Sequence, residues 1–216
     1  MSTDRRLRVL CFGDSNTWGF NPTDSSRYPE HIRWTGRLQR ALGDRYQIIE
    51  EGLNGRTTIY DYATRFGKNG REYLRPAMDS HFPLDAMILC LGTNDTKVEF
   101  GVSAEEIAAG MDELVQIALG KELDRPSPGL RLILAAPPLI DERYLGDNPK
   151  LVGGAAKTRA FPALYRAIAA ARGAAFVDLS TAVAASHLDG CHLEPEAHAI
   201  IADLFTTAVR ELTSAA

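Results

Sequence analysis

The 216-residue sequence predicts an α/β protein built on a five-stranded parallel sheet with helices on both faces. Two observations predict it. Short apolar runs with β character alternate five times with longer stretches of helical character, the pattern of successive right-handed strand–helix–strand crossovers. Apolar runs also stop abruptly at glycine and short polar residues, as in Gly13-Asp14-Ser15-Asn16 and Gly92-Thr93-Asn94-Asp95, the form expected of buried strands entering tight turns. No repeat, low-complexity tract or linker interrupts the chain, so one domain is the economical arrangement. The first strand is then central, with strand order 2-1-3-4-5.

Residues 7–12 form the first strand, and residues 21–29, rich in Asn, Asp, Ser and Pro, a polar loop beside its end. Residues 31–42 carry Ile32, Leu38, Ala41 and Leu42 ahead of Gly43 and read as a helix. Residues 46–51 are the second strand, followed by the turn Leu53-Asn54-Gly55-Arg56-Thr57-Thr58 and an irregular polar stretch over 59–70. A short helix over 71–80 is disturbed by Pro76. Residues 84–91 make the most apolar strand. Ser103-Ala104-Glu105-Glu106 is a capping box; it opens a helix to residue 119 with Ile107, Met111, Leu114, Val115 and Ala118 on one face. A Pro/Ser/Gly connection over 125–129 leads to the fourth strand, 130–136, stopped by Pro137-Pro138. Residues 139–154 lack periodicity and are long enough for a lid or an interface between copies of the chain. An alanine-rich helix over 155–172 ends at Gly173. The fifth strand covers 174–179, a turn or short helix 181–187, and the last helix opens at Pro195 and runs to 212.

Composition narrows the function. A net charge of −4 offers no basic surface for nucleic acid or an anionic membrane. No apolar run reaches the roughly 18 residues of a membrane span. Met1-Ser2-Thr3-Asp4-Arg5-Arg6 lacks the apolar core of a signal peptide, so a cytoplasmic location is expected. Cys11 and Cys90 lie in apolar runs as core residues, while Cys191, beside His192, is a competing nucleophile. No ligand cluster suggests a metal or a cofactor.

In a parallel sheet the strand ends share one edge, so polar groups far apart in sequence converge there. Ser15 follows the first strand, Gly55 the second and Asn94 the third; Asp189 and His192 follow the fifth. Acyl transfer needs such a set: a hydroxyl nucleophile, a base, an acid that orients the base, and donors for the oxyanion. Ser15 is the expected nucleophile and His192 the base. Asp189, three residues before it, folds back onto the imidazole. The backbone N–H groups of Ser15 and Gly55 and the side-chain amide of Asn94 are the expected oxyanion donors. Trp18, Phe20 and Arg56 are candidates to line the substrate pocket, with Arg56 alternatively bracing its loop against an acid. Asp14 is expected to hold the turn, and His198 to be packed or capping. Thr17 stands where the second glycine of a Gly-x-Ser-x-Gly elbow would fall.

Gly13-Asp14-Ser15, Gly55, Gly92-Thr93-Asn94-Asp95 and Asp189-x-x-His192, in that order, resemble the four blocks of the SGNH, or GDSL, hydrolase superfamily across nearly the whole chain. Gly13 to Gly19, Glu51 to Thr58 and Leu91 to Lys97 more narrowly resemble its bacterial arylesterase and acyltransferase branch. The resemblance implies a three-layer α/β/α flavodoxin-like fold and metal-free ester hydrolysis through an acyl-serine, with Ser15, Gly55, Asn94 and His192 as the defining residues. It also implies acyl transfer to alcohols and homo-oligomers in some members.

A serine esterase acting on small acyl or aryl esters is therefore the leading reading. A carbohydrate deacetylase or a thioesterase would use the same residues on another substrate. A flavodoxin-like ligand-binding module is the non-enzymatic alternative. There Asp14 would repel a phosphate, and Asp189 and His192 would have no task.

Overall fold

The computed structural model describes residues 5–120, 127, 129–146 and 149–214. Met1 to Asp4 and most of the 125–129 connection fall outside these. Five parallel strands, β1 (Leu7–Gly13), β2 (Tyr46–Gly52), β3 (Ala86–Cys90), β4 (Arg131–Ala136) and β5 (Ala175–Asp178), pair in the order β2-β1-β3-β4-β5, as the sequence predicts. Period-two alternation divides each central strand between two cores. Leu10 and Phe12 of β1 face the layer of α3 (Gly70–Ser80), α4 (Ala104–Leu119) and α5 (Gly154–Arg172). Val9 and Cys11 face α2 (Trp34–Leu42) and α6 (Pro195–Ser214). Both apolar cysteines are buried core residues, as expected.

The register sets up the site. Gly13 lies opposite Gly52 on one side and Cys90 on the other, so the chains leaving β1, β2 and β3 emerge side by side. The capping box at Ser103 forms, with reciprocal bonds between Ser103 and Glu106. Pro76 does not end α3, because Leu74 before it and Ala77 and Met78 after it are buried in the core and hold the helix across it. Residues 181–187 contain no helix.

α2 begins three residues later than the periodicity suggests. Arg33 at its N-cap supplies no side-chain cap. His198 of α6 does so instead, its Nδ1 accepting the Trp34 N–H at 3.3 Å. The ring is fully buried, and burial, reinforced by Arg37, pushes its pKa down to about 4. Between pH 6.5 and 4 the unfolded chain therefore takes up a proton that the folded chain refuses. Stability falls as pH drops through that window, by at most about 3 kcal/mol, and this group contributes no slope above it. Asp95, whose carboxyl burial pushes up to about 6, acts in the opposite sense over an overlapping range, gaining stability as pH falls. The expected result is thus a difference: the melting temperature of the wild type relative to His198→Asn declines from pH 6.5 to pH 4. A constant difference across that window would contradict the capping role.

Candidate active site

β1 cannot continue past Gly13. A Cβ there would meet Thr17 Oγ1 at 2.0 Å and the Cys90 carbonyl at 2.9 Å, so glycine lets the next turn fold back onto the sheet. That turn is a one-turn helix, α1 (Ser15–Trp18), which local periodicity does not reveal. Asp14 caps it, Oδ1 accepting the Asn16 N–H at 2.9 Å. The expected turn-holding role of Asp14 is what the structure shows. Because Asp14 is the cap, the Ser15 hydroxyl has no capping task.

Ser15 Oγ lies 2.9 Å from His192 Nε2. His192 Nδ1 lies 2.6 Å from Asp189 Oδ2, and Asp189 Oδ1 accepts the N–H groups of Cys191 and His192 at 3.0 and 2.9 Å. An ionised carboxylate only accepts, so Nδ1 carries the imidazole proton and Nε2 is left to accept from the serine. Burial pulls the Asp189 carboxyl upward, but the ring bond to His192, its charge and the two backbone bonds together hold it below its ordinary value. Phe20 stacks on the His192 ring with centroids 4.1 Å apart. The sequence-predicted trio thus meets at one point, from opposite ends of the chain.

The loop that carries Asp189 and His192 is held from two sides. Asn16 Nδ2 donates to the Cys191 carbonyl at 3.3 Å. Across the other side, the Asp141 N–H donates to the Gly190 carbonyl at 2.8 Å. Ile140, Leu145 and Leu151 form a small apolar cluster against which Cys191 packs. The 139–154 stretch therefore buttresses this loop. A groove of about 850 Å³ lies along the same stretch and residues 180–185, and none of Ser15, Asn94 or His192 lines it. Gly190 adopts a φ of +67°, and a Cβ there would sit 2.2 Å from the Asp141 carbonyl. Gly190→Ala adds left-handed strain of about 1–2 kcal/mol to a backbone collision that must separate the two loops. We expect a lower melting temperature and at least a tenfold loss of ester turnover, read by thermal unfolding and steady-state kinetics; a variant with wild-type values for both would refute the buttress.

Asn94 opens a short 3₁₀ turn (Asn94–Thr96) after β3. Its Nδ2 donates to the Arg56 carbonyl at 3.1 Å and, at 3.5 Å, to Asp14 Oδ2. Asp95 is fully buried; its Oδ1 accepts from the backbone and hydroxyl of Thr58 at 2.8 and 2.6 Å, tying the Gly55 turn to the Asn94 turn. Gly55 joins the site on that shared frame, which also rests on the Leu53 N–H bond to the Gly13 carbonyl.

Two pocket assignments need correction or refinement. Arg56 does not line the pocket: its side chain is 2% exposed and bonded to the Gly13 and Glu51 carbonyls, with Glu51 as its ion-pair partner. The bracing alternative is the one observed; desolvation that drives its pKa down to about 10 is the cost of this brace. Trp18 is half-buried with the Arg27 guanidinium 5.5 Å from its ring, whereas Phe20 sits on the His192 imidazole. Cys191 is half-buried, and desolvation, then the charges of Asp14 and Asp189, push its thiol pKa up. Neither motif nor periodicity points to Tyr62, Arg65 and Lys97, which stand at the Asn94 edge; the first two lie in the irregular polar stretch.

The sequence pattern of the GDSL-like lipase/acylhydrolase family matches residues 11–200. Among solved structures, a carbohydrate acetylesterase of Sinorhizobium meliloti, Est24, is 38% identical with a TM-score of 0.87, over 96% of this chain and all of that one. An aryl esterase of M. smegmatis is 34% identical with a TM-score of 0.88, over 95% of this chain and 99% of that one. An acetylxylan esterase of Xylanibacter ruminicola is 26% identical over 125 residues, 56% of this chain; the match spans only 23% of that longer relative.

Proposed function

The chain belongs to the GDSL-like lipase/acylhydrolase family and is a carboxylic ester hydrolase; from that premise we propose that it cleaves small acyl esters through an acyl-Ser15 intermediate. The observation that carries this is the continuous Ser15–His192–Asp189 hydrogen-bonded line, 2.9 Å and 2.6 Å long in its two links.

In the proposed reaction His192 Nε2 takes the Ser15 proton as Oγ bonds to the ester carbonyl carbon. The carbonyl π pair moves onto oxygen, where the N–H groups of Ser15 and Gly55 and the Asn94 amide receive it. Asp189 stabilises the imidazolium without taking its proton. The tetrahedral centre collapses, the C–O bond to the alcohol breaks, and Nε2 protonates the leaving oxygen. Water, deprotonated by His192, then attacks the acyl-serine and releases the acid and free Ser15. An alcohol in place of that water gives acyl transfer, favoured by a site where Ser15 is 8% exposed and Phe20 covers the imidazole. A second reading, removal of acetyl groups from carbohydrate, draws support from the names of two of the relatives.

A small-molecule ester is the proposed partner. No described helix is long and apolar enough to cross a membrane; a cytoplasmic setting and a homo-oligomer belong to the proposal. Turnover of p-nitrophenyl acetate by the wild type and by Ser15→Ala tests the chemistry. Acetate release from an acetylated xylo-oligosaccharide tests the second reading.

A further inference from the structure

Three cations, Arg65, Lys68 and Lys97, crowd the Gly55–Asn94 edge of the site. Lys97 Nζ donates to the Tyr62 hydroxyl at 2.8 Å, and that hydroxyl, on a ring only 5% exposed, lies 3.5 Å from Asn94 Oδ1. The Arg65 guanidinium stands 4.8 Å from the centre of the same ring. A Cβ on Gly55 would meet its Nη2 at 2.6 Å. Lys68 is fastened beside the Gly55 turn, its carbonyl accepting from the Thr57 N–H at 3.0 Å and from the Thr57 hydroxyl at 3.2 Å; burial, and then Arg65 and Arg56, lower its pKa. Burial likewise depresses Lys97, and Arg65 adds to that effect.

The crowding is not a product of composition, since the chain carries a net charge of −4. Nor is it neutralised. Among the described residues no carboxylate oxygen lies within the 4.0 Å of an ion pair from any of the three. Asp61, in the same segment, instead accepts from Asn69 Nδ2. Glu99 and Asp14 act on Lys97 only at longer range, without pairing. Arg56 shows the contrast: where a cation serves as a brace, it is buried against Glu51 and two carbonyls. Like charges held together without a counter-ion, two of them partly desolvated, cost free energy that an anionic ligand would return.

We propose that Arg65, Lys68 and Lys97 form an anion subsite beside the oxyanion donors, so that the favoured esters carry a carboxylate. This rests on the esterase reading above, and it deepens that reading by naming a substrate class. The carboxylate sits on either the acyl or the leaving-group side of the scissile bond, a difference of source that one experiment resolves.

The full chain is assayed on two matched pairs: p-nitrophenyl hydrogen adipate against p-nitrophenyl hexanoate, and 4-acetoxybenzoate against its methyl ester. In one pair the ratio of kcat/KM, charged over neutral, is expected to exceed that of the Arg65→Gln/Lys97→Met variant by roughly tenfold at low salt and to shrink as sodium chloride is added. The pair that responds assigns the carboxylate to the acyl or the alcohol side. Equal ratios in wild type and variant for both pairs overturn the subsite. So does a uniform loss on all four esters, which would make the cations supports of the oxyanion alone. If the double variant does not fold, Arg65→Gln, on an exposed side chain, provides the same comparison. If the wild type turns over no ester, the esterase reading fails separately. The subsite is then read by thermal shift: adipate must raise the wild-type melting temperature more than hexanoate does, and lose that advantage in the variant, or the subsite falls too.

Discussion

Ser15→Ala is expected to lower kcat on p-nitrophenyl acetate by at least about 10⁴-fold while leaving the fold intact. The size follows from what the hydroxyl alone supplies. Without Oγ there is no atom to form the acyl-enzyme, and the remaining oxyanion donors and imidazole assist only direct attack by water. Preservation of the fold follows from the local bonds. The cap of α1 is the Asp14 carboxylate, and the C-terminal bonds of the turn run from the Gly19 and Phe20 N–H groups to the Ser15 backbone carbonyl. Among the described residues the side chain has one hydrogen-bond partner, His192 Nε2. Alanine removes that bond and keeps the rest, so the melting temperature should move little. A variant retaining more than about one hundredth of wild-type kcat would exclude the acyl-Ser15 route. If the residual activity then vanished on thiol alkylation, the half-buried Cys191 would be the nucleophile.

What the sequence made legible is what repeats locally or sits at a strand end. The five strands and their order follow from apolar runs and crossover geometry; the register that aligns Gly13, Gly52 and Cys90 brings three of the loops together, and the bonds from Asn16 and Asp141 hold the fourth beside them. Asp189 and His192 were legible because three residues are enough for a carboxylate to turn back on a ring. What escaped depends on contacts between distant segments. The start of α2 is fixed by His198, 164 residues away. Arg56, adjacent to a turn glycine, looks like a substrate contact until Gly13 and Glu51 are seen to enclose it. Asp95 has no visible task in the sequence until Thr58 is seen to give both its bonds to one oxygen. Tyr62, Arg65 and Lys68 come from a stretch without periodicity, whose conformation the neighbouring elements impose.

Asp189→Asn is expected to cost about 10⁴-fold in kcat, although it removes little more than a charge. The hydrogen bonds around Asp189 decide how an amide would sit. Oδ1 accepts two backbone N–H groups, those of Cys191 and His192. An amide NH₂ turned toward them would set donor against donor, so the amide oxygen must occupy that place. The NH₂ is then directed at His192 Nδ1, where a lone pair, not a proton, is required. The imidazole proton moves to Nε2, which becomes a donor facing the Ser15 hydroxyl and no longer a base for it. The charge that would have stabilised the imidazolium is lost at the same time. Substrate binding does not depend on either effect, so KM should change far less than kcat. Steady-state kinetics of the variant, with its melting temperature as the control for folding, measure this directly. A variant with kcat within tenfold of wild type would show that His192 does not rely on Asp189 for its tautomer, and the proposed proton path would have to be redrawn around another acceptor.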